Sequence, residues 1–321
     1  MSLFKEQETK LVYAVKCVHQ PRTSLREEAK RRELLVPHLK NRLPEVLGFS
    51  EIEEWETMVT LCGGKETLHE LIMKGSMPHT QMLSVWSEAV GELICLWQQT
   101  KRTYVAENDP RNLCTRFRRI ADGLIAYARK DIRLADVIDL PVMIDGKHYP
   151  SISTALAEAY QVRPPLFSVM CHGDFQPSNI IVNRDGRWWL VDWEWAGEGH
   201  DWRNGFSHMF GWWTSRHLQL MNESSWERRQ GSLHLSTSGF IPRHLRPYID
   251  AVSRLFKAQS TTSMRSQDCS DIQKYLALLY FGQIRFLPIW GRESFGIELL
   301  ACALKALYPS EGQSFFSGRC Y

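Results

Sequence analysis

Short strand-like apolar runs flank one helical stretch in the first sixty residues, and beyond residue 80 apolar positions recur at helical spacing. Residues 10–18, KLVYAVKCV, are rich in Val and Tyr and read as a strand carrying Lys16 near its end. Thr23 or Ser24 is placed to cap a helix over residues 25–40, with Ala29, Leu34, Leu35 and Leu39 on its apolar side. Residues 46–50 and 55–61 read as two further strands, and Cys62-Gly63-Gly64 breaks the pattern as a hinge or turn does. From Gln81, Leu83, Trp86, Val90, Leu93 and Trp97 fall on one helical face, and a second helix is expected over residues 113–130. Residues 140–150 are turn-rich, 153–160 form a short helix, and Pro164-Pro165 stops it.

Two apolar runs, 179–183 and 188–193, flank Arg184-Asp185-Gly186-Arg187, whose Asp-Gly predicts a hairpin. Beyond Gly205 the pattern is helical, with candidates over 243–257, 269–286 and 294–307. The expected order is a strand-rich front, a Gly-Gly hinge, and a helical body with one inserted hairpin. The boundary falls near residues 62–66, which gives domains of 1–64 and 65–321.

Composition narrows the class. The 321 residues are 44% hydrophobic and 23% charged, an ordinary globular balance. A formal net charge of +3 gives no argument for a nucleic-acid partner. The eight cysteines show no C-x-x-C pair and no zinc-ligand spacing, which suits a reducing compartment. The amino-terminal stretch MSLFKEQETK lacks a secretory apolar segment, and no apolar run approaches the length of a membrane span, so cytoplasmic localisation is expected.

The chemistry lies in residues 171–197, CHGDFQPSNIIVNRDGRWWLVDWEWAG. Asp174 in a loop is followed five residues later by Asn179, and Asp192 comes on the far strand of the hairpin. Phosphoryl transfer needs a carboxylate to orient the attacking hydroxyl and accept its proton, and oxygen donors to hold Mg²⁺ against the phosphates. One Asp, an Asn and a second Asp supply that set.

At these residues the chain resembles the aminoglycoside phosphotransferase and choline kinase superfamily, relatives of the protein kinases. HGDFQPSN is similar to that family's catalytic loop and LVDWEWAG to its metal-binding segment. The resemblance implies an α+β, two-lobed, protein-kinase-like fold with a small β-rich N-lobe and a larger helical C-lobe. It implies Asp174 as catalytic base and Asn179 and Asp192 as Mg²⁺ ligands. Lys16 resembles the strand lysine that holds the ATP phosphates, and Glu28, with Glu27 as the alternative, the helix carboxylate that pairs with it. The stretch from Thr60 through Cys62 to Gly64 is similar to the hinge that receives adenine. His200-Asp201 is similar to the structural Asp segment after the metal loop. Gly173, and the lack of Asp-Phe-Gly, depart from the protein kinases and disfavour a protein substrate.

Residues 1–15 contain no glycine, where the family places a glycine-rich loop over the phosphates. The resemblance then implies a shortened N-lobe: a chain that starts inside the usual one, or a nucleotide held with less backbone N–H cradling.

Several features have plainer readings. Taken alone, Lys16 is an edge-strand lysine and Glu28 a surface helix charge, while Glu194 reads equally as a contact to a second Mg²⁺ or as a solvent-facing carboxylate. The clustered tryptophans 188, 189, 193, 195, 202, 212 and 213 read first as core. Trp212 and Trp213 are the candidate lining of an acceptor pocket, since aromatic rings attract quaternary ammonium and stack on sugars. Residues 201–321 carry 14 Lys and Arg against nine Asp and Glu, which suits a neutral or anionic acceptor better than a polycation.

The expected function is ATP- and Mg²⁺-dependent transfer of the γ-phosphoryl group to a hydroxyl of a small molecule, sugar or glycan. An aminoglycoside or choline-type amino-alcohol kinase is one alternative, and a pseudokinase-like nucleotide-binding protein is another.

Overall fold

The computed structural model describes residues 2–5, 12–19, 24–105, 137–218, 224–237, 244–260, 266–284 and 293–309. In chain order the elements are β1 (Ser2–Lys5), β2 (Val12–His19), α1 (Leu25–Leu39), β3 (Glu45–Ile52), β4 (Trp55–Cys62), β5 (Glu66–Thr67), α2 (Leu68–Lys74), α3 (His79–Gln99) and β6 (Arg102–Thr103). Then come β7 (Val142–Ile144), β8 (Lys147–Tyr149), α4 (Ile152–Ala159), β9 (Phe167–Cys171), β10 (Ile180–Val182), β11 (Trp188–Leu190), β12 (Gly197–His200) and α5 (Trp202–Leu218). The last are β13 (Ser225–Arg229), β14 (Ser232–Ser236), α6 (Arg246–Ser260), α7 (Ser266–Ile284) and α8 (Glu293–Leu307). The class is α+β, as the sequence implies. The chain divides into two compact units, residues 1–105 with 167–205, and residues 106–166 with 206–321. Residues 62–66 lie inside the first unit.

In the first unit, an antiparallel sheet runs in the order β1-β2-β4-β3. A bulge between Val46 and Gly48 shifts the β3–β4 register. Ala14 and Lys16 lie two residues apart on β2 and so share a face. Ala14 is 2% exposed and packs with Ile181 and Val191 of the hairpin segment. The β10–β11 hairpin closes as its Asp-Gly predicts. Asn183 Oδ1 accepts the backbone N–H groups of Asp185 and Arg187, and Gly186 takes φ +79°. β10 also pairs with β5, so the residues after β4 and the hairpin form one small sheet. Thr67 caps α2 in a reciprocal box with Glu70. Gly64 is required where it stands, because a Cβ there lies 2.5 Å from the Val182 carbonyl oxygen.

The second unit holds a sheet in the order β13-β14-β7-β8 and helices α4, α7 and α8. Val142, Ile144, Leu233 and Leu235 form its buried face. The β7–β8 turn, Asp145-Gly146, has φ +50° and +83°, the left-handed pair of a type I′ hairpin.

Three expectations change. Residues 140–150 contain a hairpin as well as turns. The region after Gly205, expected to be helical, contains β13 and β14. Strands of three to five residues with mixed polarity, such as SWERR, are too short for a period of two to register. The body therefore holds more than one hairpin. Leu34 is 44% exposed, whereas Leu35 and Leu39 are buried, so α1 turns a narrower apolar face inward. Trp188, Trp193 and Trp202 are core residues, as the first reading of the clustered tryptophans has it. The helix expected over 113–130 lies outside the described residues. Among the described residues, no helix is long and apolar enough to cross a membrane.

Candidate active site

Lys16, on the face of β2 that meets the hairpin, places Nζ 2.7 Å from Glu28 Oε2 and 2.6 Å from Asp192 Oδ1. Glu28 lies in the first turn of α1 and is 1% exposed. Neighbouring Glu27 faces solvent and pairs with Lys30. The second oxygen of Glu28 accepts the backbone N–H of Trp193 at 3.2 Å, so one buried carboxylate ties helix, strand and post-hairpin segment together. Burial draws the Lys16 pKa down, but Asp192 and Glu28 outweigh it, and the ammonium sits above its ordinary value. At Glu28 burial wins over the attraction of Lys16 and holds the carboxyl above the usual range.

Asp174 and Asn179 are joined by the loop between β9 and β10. Gly173 takes φ +83°, a conformation suited to glycine, and this turns the chain directly before Asp174. Asn179 Nδ2 donates to the Asp174 carbonyl at 2.8 Å and to its Oδ2 at 3.1 Å. Gln176 Nε2 donates to the same Oδ2 at 2.8 Å. With Nδ2 committed, Oδ1 is the Asn179 atom offered to a cation. Burial is the largest influence on Asp174 and raises its pKa. Asp192 adds to this, while His172 and the two amide donors oppose it. His172, fully buried, bonds through Nε2 to the Val191 carbonyl at 2.9 Å, a link between the loop and the hairpin.

Asp192 takes φ +68°, which costs a non-glycine residue of order 1–3 kcal/mol and is typical of functional sites. Carboxylate oxygens of Glu28, Asp192 and Glu194 lie within 4.8 Å of one another. Arg31 donates to the Glu194 carbonyl and Arg32 stacks over Trp193, which fixes this segment against α1. Next along the chain, buried Asp201 holds Arg203 through Nε at 3.0 Å and Nη2 at 2.8 Å.

The first unit therefore brings together Lys16, Glu28, Asp192 and, on the adjoining loop, Asp174 with Asn179. Thr60 is buried opposite Ala14, to whose carbonyl its hydroxyl donates at 3.4 Å, and Cys62 ends β4. Trp212 and Trp213 lie on α5, but their side chains are outside the described residues. Sequence reading missed Gln176 as a partner of Asp174. The only signal was an amide side chain two residues after the Asp. It left Glu194 undecided, and the structure groups it with Glu28 and Asp192.

A model of the phosphotransferase enzyme family matches residues 6–201, more than half of the chain. The chain belongs to that family. No curated protein is significantly similar to this phosphotransferase in sequence. Among solved structures it is similar to an aminoglycoside-3'-phosphotransferase of type VIII, at 16% identity over 87% of this chain and 88% of that one, with a TM-score of 0.48. It is similar to an ethanolamine kinase of Plasmodium vivax, at 13% identity over 95% and 77%, with a TM-score of 0.49. A third is an aminoglycoside phosphotransferase of Streptomyces rimosus in complex with ADP and streptomycin, at 16% identity over 87% and 90%, with a TM-score of 0.44.

Proposed function

We infer that this phosphotransferase moves the γ-phosphoryl group of ATP to a hydroxyl of a small molecule or sugar. The observation that carries the reading is the bridging of Glu28 and Asp192 by Lys16, beside the Asp174–Asn179 loop. A strand cation held between a helix carboxylate and a carboxylate just past a hairpin is the arrangement that positions phosphates for transfer.

Lys16, steadied by Glu28, presents its ammonium to the phosphates. Asp174, held by Asn179 and Gln176, orients the acceptor hydroxyl and takes its proton as the oxygen attacks the γ-phosphorus and ADP leaves. The donor set fits Mg²⁺, because Asn179 Oδ1 and the carboxylates of Asp192 and Glu194 are hard oxygen ligands. When bound, Mg²⁺ supplies the positive charge that shields the phosphates. The backbone from Thr60 to Gly64 is the adenine hinge in this reading, and Trp212 and Trp213 remain the candidate acceptor contacts.

ADP release is measured with Mg²⁺ and a panel of sugars, amino alcohols, nucleosides and aminoglycosides. Acceptor-dependent release that disappears in Asp174→Ala supports the reading. Nucleotide binding without transfer to any acceptor favours the pseudokinase-like alternative, which the glycine-free residues 1–15 motivate.

A further inference from the structure

The four-stranded sheet of the first unit has a second face that phosphoryl transfer does not use. Ala14 and Lys16 of β2 face the hairpin, so the alternate positions, Val15 and His19 among them, point the other way. Register carries this outer face across three strands. His19 stands opposite Trp55 on β4, and Trp55 opposite Ile52 on β3. Directly opposed residues share a face, and the His19 and Trp55 rings lie 4.9 Å apart. Ile52 is 69% and Trp55 50% exposed, so this row is open to solvent. The two rows behind it end at Val15, Val59 and Gly48 and carry no charged side chain.

The rim of this face is acidic. Glu51, Glu53 and Glu54 stand exposed around the β3–β4 turn. Glu54 pairs with His19 Nε2 at 3.0 Å, and among the described residues neither Glu51 nor Glu53 has a cationic partner. A negative rim repels nucleic-acid phosphates and anionic lipid and attracts Lys and Arg. The face measures roughly 14 Å across its three strands and about 17 Å along them. Two copies packed face to face would bury about 500 Å² in total, well under the ~1,200 Å² of a stable interface, and each would bring the same negative rim. The register shift between Val46 and Gly48 interrupts the regular edge of β3, which disfavours addition of a further strand. An α-helix about 10–12 Å wide covers the face in about three turns.

We propose that the outer face of this sheet docks a basic amphipathic helix of a protein partner, its apolar stripe on Ile52 and Trp55 and its Lys or Arg residues at the glutamate rim. The proposal is independent of the phosphotransfer reading. Fluorescence anisotropy on the full chain without nucleotide tests it, with a labelled 14-residue Leu/Lys amphipathic helix as probe and the same helix with Glu in place of Lys as comparator. The Leu/Lys helix is expected to bind, about tenfold more weakly in Ile52→Ser. Glu53→Lys should weaken it as well and flatten its dependence on salt. Both residues are exposed, so neither variant disturbs the core. Failure of the Leu/Lys helix to bind, equal binding by wild type and Ile52→Ser, or equal binding of the Leu/Glu helix overturns the proposal. So does light scattering that shows a wild-type dimer dissociated by Ile52→Ser, or binding to phosphatidylserine vesicles that the same variant abolishes.

Discussion

Lys16 holds Glu28 and Asp192 at the same time, at 2.7 and 2.6 Å. Glu28→Gln removes one anchor and leaves the ammonium to follow Asp192 alone. Misplacement of a positioning group by about 1 Å costs on the order of 10²-fold, so kcat/KM for ATP is expected to fall by about that factor. Circular dichroism should be unchanged. Wild-type ATP kinetics in this variant would remove Glu28 from the machinery.

The same pair sets a pH signature in stability. The folded-state pKa of Lys16 is raised, so its contribution is fully present below the ordinary lysine value and is lost as pH rises through the folded value. Lys16→Met should cost about 2 kcal/mol near neutrality, below the 3–5 kcal/mol of a fully buried pair, because Lys16 is 21% exposed and Glu28 can take up a proton. Urea titrations from pH 7 to above the ordinary lysine value of 10.5 check this. The gap between wild type and variant should be steady at first and should close only at the alkaline end.

In the proposed mechanism, Asp174→Asn keeps the shape of the loop but removes the base. A loss of about 10²–10⁴-fold in kcat is expected. In the wild type, kcat/KM should fall on the acid side at a pH above the usual aspartate range, because burial raises this pKa and a base works only when ionised. A stopped assay across pH 3 to 9 locates this limb. An acid limb at or below the ordinary aspartate value of 3.8 would count against Asp174 as the group observed.

Asp201 and Arg203 are each 2% exposed and bond to one another by two parallel contacts. Asp201→Asn removes the counter-charge that Asp201 gives the buried guanidinium, at a cost of up to about 3–5 kcal/mol. The urea midpoint should drop with the slope unchanged. A midpoint within error of wild type would mean that Arg203 finds a different partner.

Gly64→Ala drives a methyl group into the Val182 carbonyl, which is backbone and cannot rotate away. A destabilisation of about 1–3 kcal/mol is expected, as for other overpacked sites. Gly75→Ala, with open space around it but φ +63°, is the matching control for backbone strain alone.

Local chemistry made part of this site legible. Asp-Gly specified the hairpin, His172-Gly173-Asp174 marked a loop, and long periodic helices such as α3 declared themselves. Glu27 and Glu28 could not be ranked because adjacent helix positions differ only in which side meets the sheet, and that side is set by packing. The link from Lys16 to Asp192 spans 176 positions, and no window along the chain contains both residues. β9 follows two prolines as five residues of mixed character, and only its pairing with β6 and β12 makes it a strand. Glu194 was undecided because its meaning depends on two other carboxylates that the fold brings within reach.

The first unit is sewn from two stretches of chain separated by residues 106–166. On the ribosome, the β2 strand emerges long before the hairpin that covers Ala14 and Lys16. Until residue 192 has been made and has cleared the exit tunnel, Glu28 lacks its full cage and the inner face of that sheet stays wet. Synthesis at about 5–20 residues per second makes that interval on the order of ten seconds, during which the half-built sheet is a natural client for a chaperone.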